Sequence, residues 1–432
     1  MGYKTATFGE RIIADGIRVS NNNRLTGLNG HDLIIGGSSS GKTTGYICSN
    51  LNNPHGSFVV QDTKGQLLNQ FSASLKRKGY KTIIFDFVNP EKSCPYNPLS
   101  YIRRRKDGSP VERDIKKLAV QLTPTLDRDE PFWEKACARF ISMLIAYVLE
   151  ALPNDEHHMG SVVAVHRLLQ EPLGKALLNE WAQESPESYS ARKYKMLVGS
   201  MVADRMWGSI IEFVNEVLDP FDVSEYGKMF LNPNSWDIRE AGRRPCAVFI
   251  NTSDHDPSYG ILTSTLYSQI LQVLLDEADA QTECCLKVPV RLILDDFASA
   301  ASIKDFDKTI SIIRSRNISV SILLQSLSQL ESMYSQSEAY TIINNCDHIL
   351  YLGGGHDLRT AEFIANHINK TPHSVLTLPR DKAILITSGE EPQIVNKIKP
   401  NNPITGLHFD AFEEYEYATP MEKPNSKEAN CA

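Results

Sequence analysis

Gly36-Gly37-Ser38-Ser39-Ser40-Gly41-Lys42-Thr43 fits the pattern G-x-x-x-x-G-K-[ST], the loop that cradles the phosphates of a nucleoside triphosphate. Leu33, Ile34 and Ile35, with Asp32 as a strand-edge residue before them, lead into the loop. Lys42 to Asn50 reads as the start of a helix. Strand, loop and helix in that order is the context the motif requires. Glycines let successive backbone N–H groups turn inward on phosphate, and a helix N-terminus adds favourable partial positive charge. The pattern assigns Gly36 to Thr43, with Thr44 following, to nucleotide binding. Lys42 is a point charge for the β- and γ-phosphates, and the Thr43 hydroxyl a ligand for Mg²⁺.

Outward from the loop, the chain alternates. Ser57 to Asp62 is a second strand by its β-branched and aromatic content, and Asp62-Thr63-Lys64-Gly65 is a polar turn opening an amphipathic helix through about Lys78. Lys81 to Asp86 is a third strand. This rhythm means βαβ units and a parallel sheet, an α/β fold. Asn89-Pro90 to Pro98-Leu99, rich in Pro and Asn, is expected to be an ordered surface loop. Residues 1–31 are expected to hold short strands or a lead-in segment.

From about Thr125 to Trp236 the pattern is helical. Apolar residues at 133, 136, 140, 141, 144, 145 and 148 repeat with a helical period, and helices are expected at 159–170, 173–184 and 190–218. Trp133, Trp181 and Trp207 read as core residues of this stretch. The α/β rhythm resumes at strand Cys246 to Asn251 and helix Tyr259 to Asp279. Val290 to Asp296 is apolar on both faces, hence a central strand. Helix 303–315, strand Ser319 to Gln325, helix 336–345, strand His348 to Leu352, helix 357–368 and strand Ala383 to Thr387 complete it. The sequence thus divides into a nucleotide-binding domain at 1–124 and 237–400, an all-helical insert at 125–236, and a polar tail at 401–432, expected to be mobile.

An apolar share of 41% and a charged share of 22% fit an ordinary globular chain. The net charge of −7 argues against a molecule coated in positive charge, yet leaves room for a local basic channel. The eight cysteines show neither C-x-x-C pairs nor ligand spacing with histidine, and no run of 18 apolar residues occurs. The expected compartment is the cytosol.

A phosphate loop needs a carboxylate on a neighbouring strand for Mg²⁺ and often a second to orient water. Asp295 and Asp296 end the most apolar strand: Asp295 is the expected metal carboxylate, Asp296 the candidate base. Gln325 ends the next strand, where α/β proteins bind ligands, and is expected to sense the γ-phosphate or position water; bonding to a loop is the competing role. Asp62 faces the same crevice and joins the nucleotide set. Arg314 and Arg316 fit two roles equally: cations at a helix C-terminus, or arginines reaching the γ-phosphate of a neighbouring subunit.

Several segments together resemble the TraG/TraD-type coupling proteins of type IV secretion and conjugation. They are Val59 to Gly65, Tyr96-Asn97-Pro98-Leu99, Phe132-Trp133, Leu294 to Ala298, Ile312 to Arg316, Leu324 to Leu330, Asn345-Cys346-Asp347 and Tyr351 to Gly354. The resemblance spans roughly residues 30–400. It implies a RecA-like P-loop NTPase with a helical domain inserted, assembled as a homo-hexamer, with ATP and Mg²⁺ as cofactors. The implied partners are DNA, relaxase and other relaxosome proteins, and secretion-channel components. Catalysis would rest on Lys42, Asp296, Gln325, Arg314 and Arg316, and the metal on Thr43 and Asp295. The family usually begins with transmembrane helices; none is evident here, so contact with the inner face of the membrane is expected through partners or an anchor outside this sequence. The family's carboxylate pair is usually Asp-Glu, against Asp295-Asp296 here, and Lys370 to Leu378 is short for a variable loop. Two alternatives compete: a HerA/FtsK-like cytosolic DNA translocase, and a weakly hydrolysing adaptor that recruits substrate.

Overall fold

The computed structural model describes residues 9–124, 132–201, 204–231, 233–253, 259–297 and 302–399. A hairpin, β1 (Glu10–Ala14) and β2 (Ile17–Ser20), precedes nine strands: β3 (Asp32–Ile35), β4 (Ser57–Gln61), β5 (Lys81–Asp86), β6 (Cys246–Asn251), β7 (Val290–Leu294), β8 (Ile318–Leu324), β9 (His348–Tyr351), β10 (Lys382–Thr387) and β11 (Gln393–Asn396). They form one sheet in the order β11-β10-β9-β3-β8-β7-β4-β6-β5. Pairings from β9 to β5 are parallel, and β10 lies antiparallel to both β9 and β11. Every residue of β3 and β4 is buried, as expected of strands covered on both faces.

The helices are α1 (Asn23–Thr26), α2 (Cys48–Asn52), α3 (Gln66–Arg77), α4 (Glu112–Leu122), α5 (Phe132–Ala151), α6 (Met159–Gln170), α7 (Pro172–Glu184), α8 (Tyr189–Met201), α9 (Asp204–Asp222), α10 (Gly227–Leu231), α11 (Gly260–Asp279), α12 (Phe306–Ile313), α13 (Leu327–Met333), α14 (Gln336–Asn344), α15 (Leu358–His367) and α16 (Pro372–Leu376). One sheet face packs Ile34, Val60 and Ile293 against Ile47 and against Leu67, Phe71 and Leu75, one stripe of α3. The other face packs Val59 and Leu292 into a core that runs on through α11 into Phe140, Ile145 and Val214 of the helical stretch. α5 is apolar nearly all round because α4, α6, α8 and α9 surround it.

The expected strands appear within a residue or two, and residues 1–31 do carry short strands. Three readings need correction. The single helix expected at 190–218 is two, α8 and α9, packed on each other and both on α5. An unbroken 29-residue rod would run about 44 Å, well past the roughly 30 Å of α5, so folding back buries more apolar surface. The segment Asn89 to Leu99 is a surface loop only in its first part, where Glu91 and Lys92 are exposed. Tyr96, Asn97, Pro98 and Leu99 are buried, the Tyr96 hydroxyl donates to Gln269 (2.6 Å), and the Asn97 amide donates to the His157 carbonyl (2.7 Å). Its prolines and asparagines set turns that carry those side chains inward. Thirdly, the strand-tip pair Asp295-Asp296 lies in a turn beyond β7, which stops at Leu294. Helix α4 and strand β11 were not foreseen, and the tail at 401–432 lies outside the described residues. Among the described residues no helix is long and apolar enough to cross a membrane.

Asp32 opens β3 and is buried. Arg11 grips it with three bonds (2.8, 2.9 and 3.1 Å), Arg291 of β7 donates at 3.2 Å, and the Tyr46 hydroxyl at 2.7 Å. Burial alone would raise this carboxyl's pKa; Arg11 and Arg291 outweigh it and hold the group ionised well below the usual carboxylate range. Its neighbour His31 is pushed down to about 4, first by burial and then by Arg291 and Arg11, against the opposing pull of Asp32 and Asp347. The His31 Nδ1 accepts the Val320 N–H (3.1 Å), a bond that protonation would break.

The unfolded chain therefore takes up this proton before the folded one. Stability held by neutral His31 is complete above pH 6.5 and is lost as pH falls towards 4, an effect of about 3 kcal/mol. In urea unfolding, the stability advantage of wild type over His31→Gln should shrink by that amount between pH 7 and pH 4. Parallel pH profiles would contradict it.

Candidate nucleotide-binding site

The phosphate loop leaves β3, the strand wedged between β8 and β9, so it emerges mid-sheet at the edge where the parallel strands end. Its backbone is tied to both neighbours: the Gly36 N–H donates to Leu324 O (3.0 Å) and the Gly37 N–H to Gly353 O (3.1 Å). Ser39 and Gly41 take φ of 57° and 99°, left-handed values that turn the loop's N–H groups inward. The helix then opens as a π-turn, Lys42–Ile47, before continuing as α2, a tightly constrained departure typical of functional sites. Ser38 and Ser39 are exposed, Gly36, Gly37 and Ser40 buried, and Thr44 half-buried.

Lys42 folds over the loop, its ammonium donating to the carbonyls of Gly36 (2.7 Å) and Gly37 (3.2 Å). Burial lowers its pKa, while Asp296 and Asp295 favour the charged form. The Thr43 hydroxyl donates to Asp295 Oδ2 at 2.7 Å, joining residues 252 positions apart. That hydroxyl–carboxylate pair is the oxygen donor set of a hard divalent cation, so the residues present fit Mg²⁺. Burial lifts the Asp295 carboxyl to about 6 and Asp296 adds to the rise, while Thr43 and Lys42 oppose it.

Asp296 sits beside it at φ 43°, a left-handed conformation that costs a non-glycine residue on the order of 1 kcal/mol. Strain of this kind concentrates where function fixes a side chain's direction. Gln325 stands exposed one residue past β8, next to Leu324, whose carbonyl accepts the Gly36 N–H, and its own N–H is accepted by the Gln329 side chain. Gln61, at the end of β4 beside the carboxylate strand, is buried with neither amide atom hydrogen-bonded to protein.

Three expected members stand apart from this cluster. The Asp62 carboxylate accepts the Leu68 N–H (2.8 Å) and holds the first turn of α3, a capping role. Burial raises its pKa against those backbone bonds. Arg314 and Arg316 follow α12 and precede β8, which puts them at the sheet edge opposite the loop. Arg314 donates to Gly27 O (2.7 Å), and Arg316 to Asp279 (3.0 Å). Neither reaches its own chain's loop.

Sequence reasoning missed two supports. Gly353-Gly354-Gly355 lies back to back with the phosphate loop, and a side chain on Gly37 would collide with the Gly354 carbonyl. Three consecutive glycines directly after a strand were the available signal. Lys397 donates to Ser40 O (3.2 Å) across 357 positions, and no local pattern points to it.

A family profile described as Type IV secretory system Conjugative DNA transfer matches residues 5–371. The chain belongs to that family. Its similarity to VirD4 proteins is 21% identity over 351 residues for Rhizobium rhizogenes and 21% over 349 for Agrobacterium fabrum, covering 79% and 78% of this chain. The chain spans about half (49%) of the length of these curated relatives. Among solved structures, the conjugative coupling protein TrwBdeltaN70 superposes with a TM-score of 0.69 at 16% identity, covering 92% of this chain and 91% of that one. TrwB with the ATP analogue ADPNP gives 0.68 at 17% (92% of each chain), and VirB4 of Thermoanaerobacter pseudethanolicus 0.54 at 13% (92% of this chain, 98% of that one). At such identities the likeness is one of fold: the RecA-like P-loop architecture that the family resemblance implied.

The back-to-back glycines give a direct test. Gly37→Ala should weaken binding of a fluorescent ADP at least tenfold, about 1.4 kcal/mol, because the loop must leave Gly353. Titration of the variant alongside wild type measures this; unchanged affinity would show the loop free to shift.

Proposed function

We propose that this chain is an ATP-hydrolysing coupling protein, which recruits a relaxase–DNA complex to a type IV secretion channel and helps drive DNA transfer. The observation that carries the reading is the 2.7 Å bond from Thr43 to Asp295, which closes the phosphate loop onto the carboxylate strand. We read the chain as a sheet domain (1–124 and 237–400) with the helical insert (125–236) presenting substrate. Its partners in this reading are DNA, relaxosome proteins, channel components and further copies of itself in a hexamer.

The roles follow from position. The loop N–H groups and Lys42 hold and neutralise the phosphates of ATP. Thr43 and Asp295 would hold Mg²⁺, which would supply positive charge to offset that developing on the phosphates. Asp296 accepts the proton of the attacking water, and Gln325 orients that water. Arg314 and Arg316, at the far edge of the sheet, act on the γ-phosphate bound by an adjoining copy. Asp62 serves the site indirectly, by fixing the start of α3.

The test is steady-state ATP hydrolysis of the purified protein with and without single- and double-stranded DNA. We expect turnover to rise with DNA and to vanish in Lys42→Ala, with the variant's melting temperature within a few degrees of wild type. ATP binding without DNA-stimulated turnover would favour the adaptor reading. Asp296→Glu, which advances the carboxylate by one methylene, should raise the rate severalfold if reach limits proton transfer; a fall would show a site built around aspartate.

A further inference from the structure

We propose that Lys397 is a second cation of the nucleotide site, binding the α- and β-phosphates from the side of the loop opposite Lys42. The inference rests on the nucleotide reading above and adds a ligand contact from the far end of the chain.

Topology brings the residue there. β11 runs antiparallel to β10, and β10 antiparallel to β9, so β11 ends at the same sheet edge as β3. The chain leaving β11 is pinned on both sides: the Asp15 N–H donates to Asn396 O (3.1 Å), and the Lys397 N–H to Asp381 O (2.9 Å). It then crosses the start of the phosphate-loop helix, with Ile398 O about 3.5 Å from where a Gly45 side chain would begin.

Both lysines rest on carbonyl oxygens of one loop. Lys42 takes the carbonyls at its beginning, Gly36 and Gly37, and Lys397 takes Ser40 near its end. The Lys397 ammonium carries three donors, and Ser40 O is the hydrogen-bond acceptor found for it. No carboxylate lies within ion-pair distance of it among the described residues. The Ser40 hydroxyl, which lies against Gly36, is buried and without a protein partner. A half-buried cation and an unsatisfied hydroxyl on one loop make a receptor for phosphate oxygens. In such loops the lysine reaches the β- and γ-phosphates and backbone N–H groups cradle the α- and β-phosphates, so a cation beside Ser40 would add its charge at the α,β end. The chemistry recognised is the diphosphate of a nucleotide, not its base.

The probe is fluorescent mant-ADP on the full chain with Mg²⁺, with unlabelled adenosine as competitor. Lys397→Ala should raise the mant-ADP dissociation constant about tenfold, as expected for one lost charge-assisted contact. Lys397→Arg should stay within about threefold of wild type, because the charge is kept. Competition by adenosine, which lacks phosphate, should be unchanged. Wild-type mant-ADP affinity in Lys397→Ala, while Lys42→Ala loses binding, would overturn the proposal and leave the nucleotide reading standing. Equal weakening of ADP and adenosine would mean a structural role for the strap and would also overturn it. Unimpaired mant-ADP binding in Lys42→Ala would remove the nucleotide reading, and this contact with it.

Discussion

A buried negative charge governs the centre of this molecule. Asp32 begins the strand that leads to the phosphate loop, and an ionised carboxylate there is tolerable only while its partners are in place. Those partners come from the N-terminal hairpin (Arg11), the carboxylate strand (Arg291), the loop helix (Tyr46) and the neighbourhood of β9 (His348). Tyr46 also bonds Ser321 of β8 (2.8 Å). One carboxylate therefore ties β3 to the hairpin, β7, β9 and the loop helix, from the edge opposite the nucleotide site. Removing a partner strands the charge, which is far more damaging than losing an ordinary hydrogen bond.

The constraint explains how the two half-sites stay in register. Thr43 and Asp295 meet at the loop edge of the sheet, and Asp32 and Arg291 at the other, so β3 and β7 are joined at both ends although β8 lies between them. A shift of either strand by one residue would break both contacts and turn buried side chains to the wrong face.

Much of this was legible in the sequence, for identifiable reasons. The loop announces itself because its chemistry needs fixed residue types at fixed spacing, and the strands do so because parallel strands covered on both faces read as unbroken apolar runs. Asp295, Asp296 and Gln325 stand out because they break such runs at their ends, and the bond from Thr43 reaches the first of them. What escaped depends on contacts distant in sequence. Nothing local tells that Asp32 meets Arg11 and Arg291, or that Lys397 crosses back to Ser40. The capping bond of Asp62 escaped because a strand-terminal carboxylate that caps the next helix looks the same in sequence as one that faces a ligand. Asn89 to Leu99 misled because its turn-forming residues dominate the composition, while Tyr96 and Leu99 decide where it lies.

The core that runs without a seam from β4 and β7 through α11 to Phe140 and Val214 bears on how the molecule can be dissected. A recombinant fragment spanning only the helical segment would expose to water the side chains that now meet α4 and α11. Such a fragment would gain solubility by clustering, and its apparent oligomers would report that uncovered surface instead of native assembly. Substrate binding by those helices is a property to be measured in the intact chain.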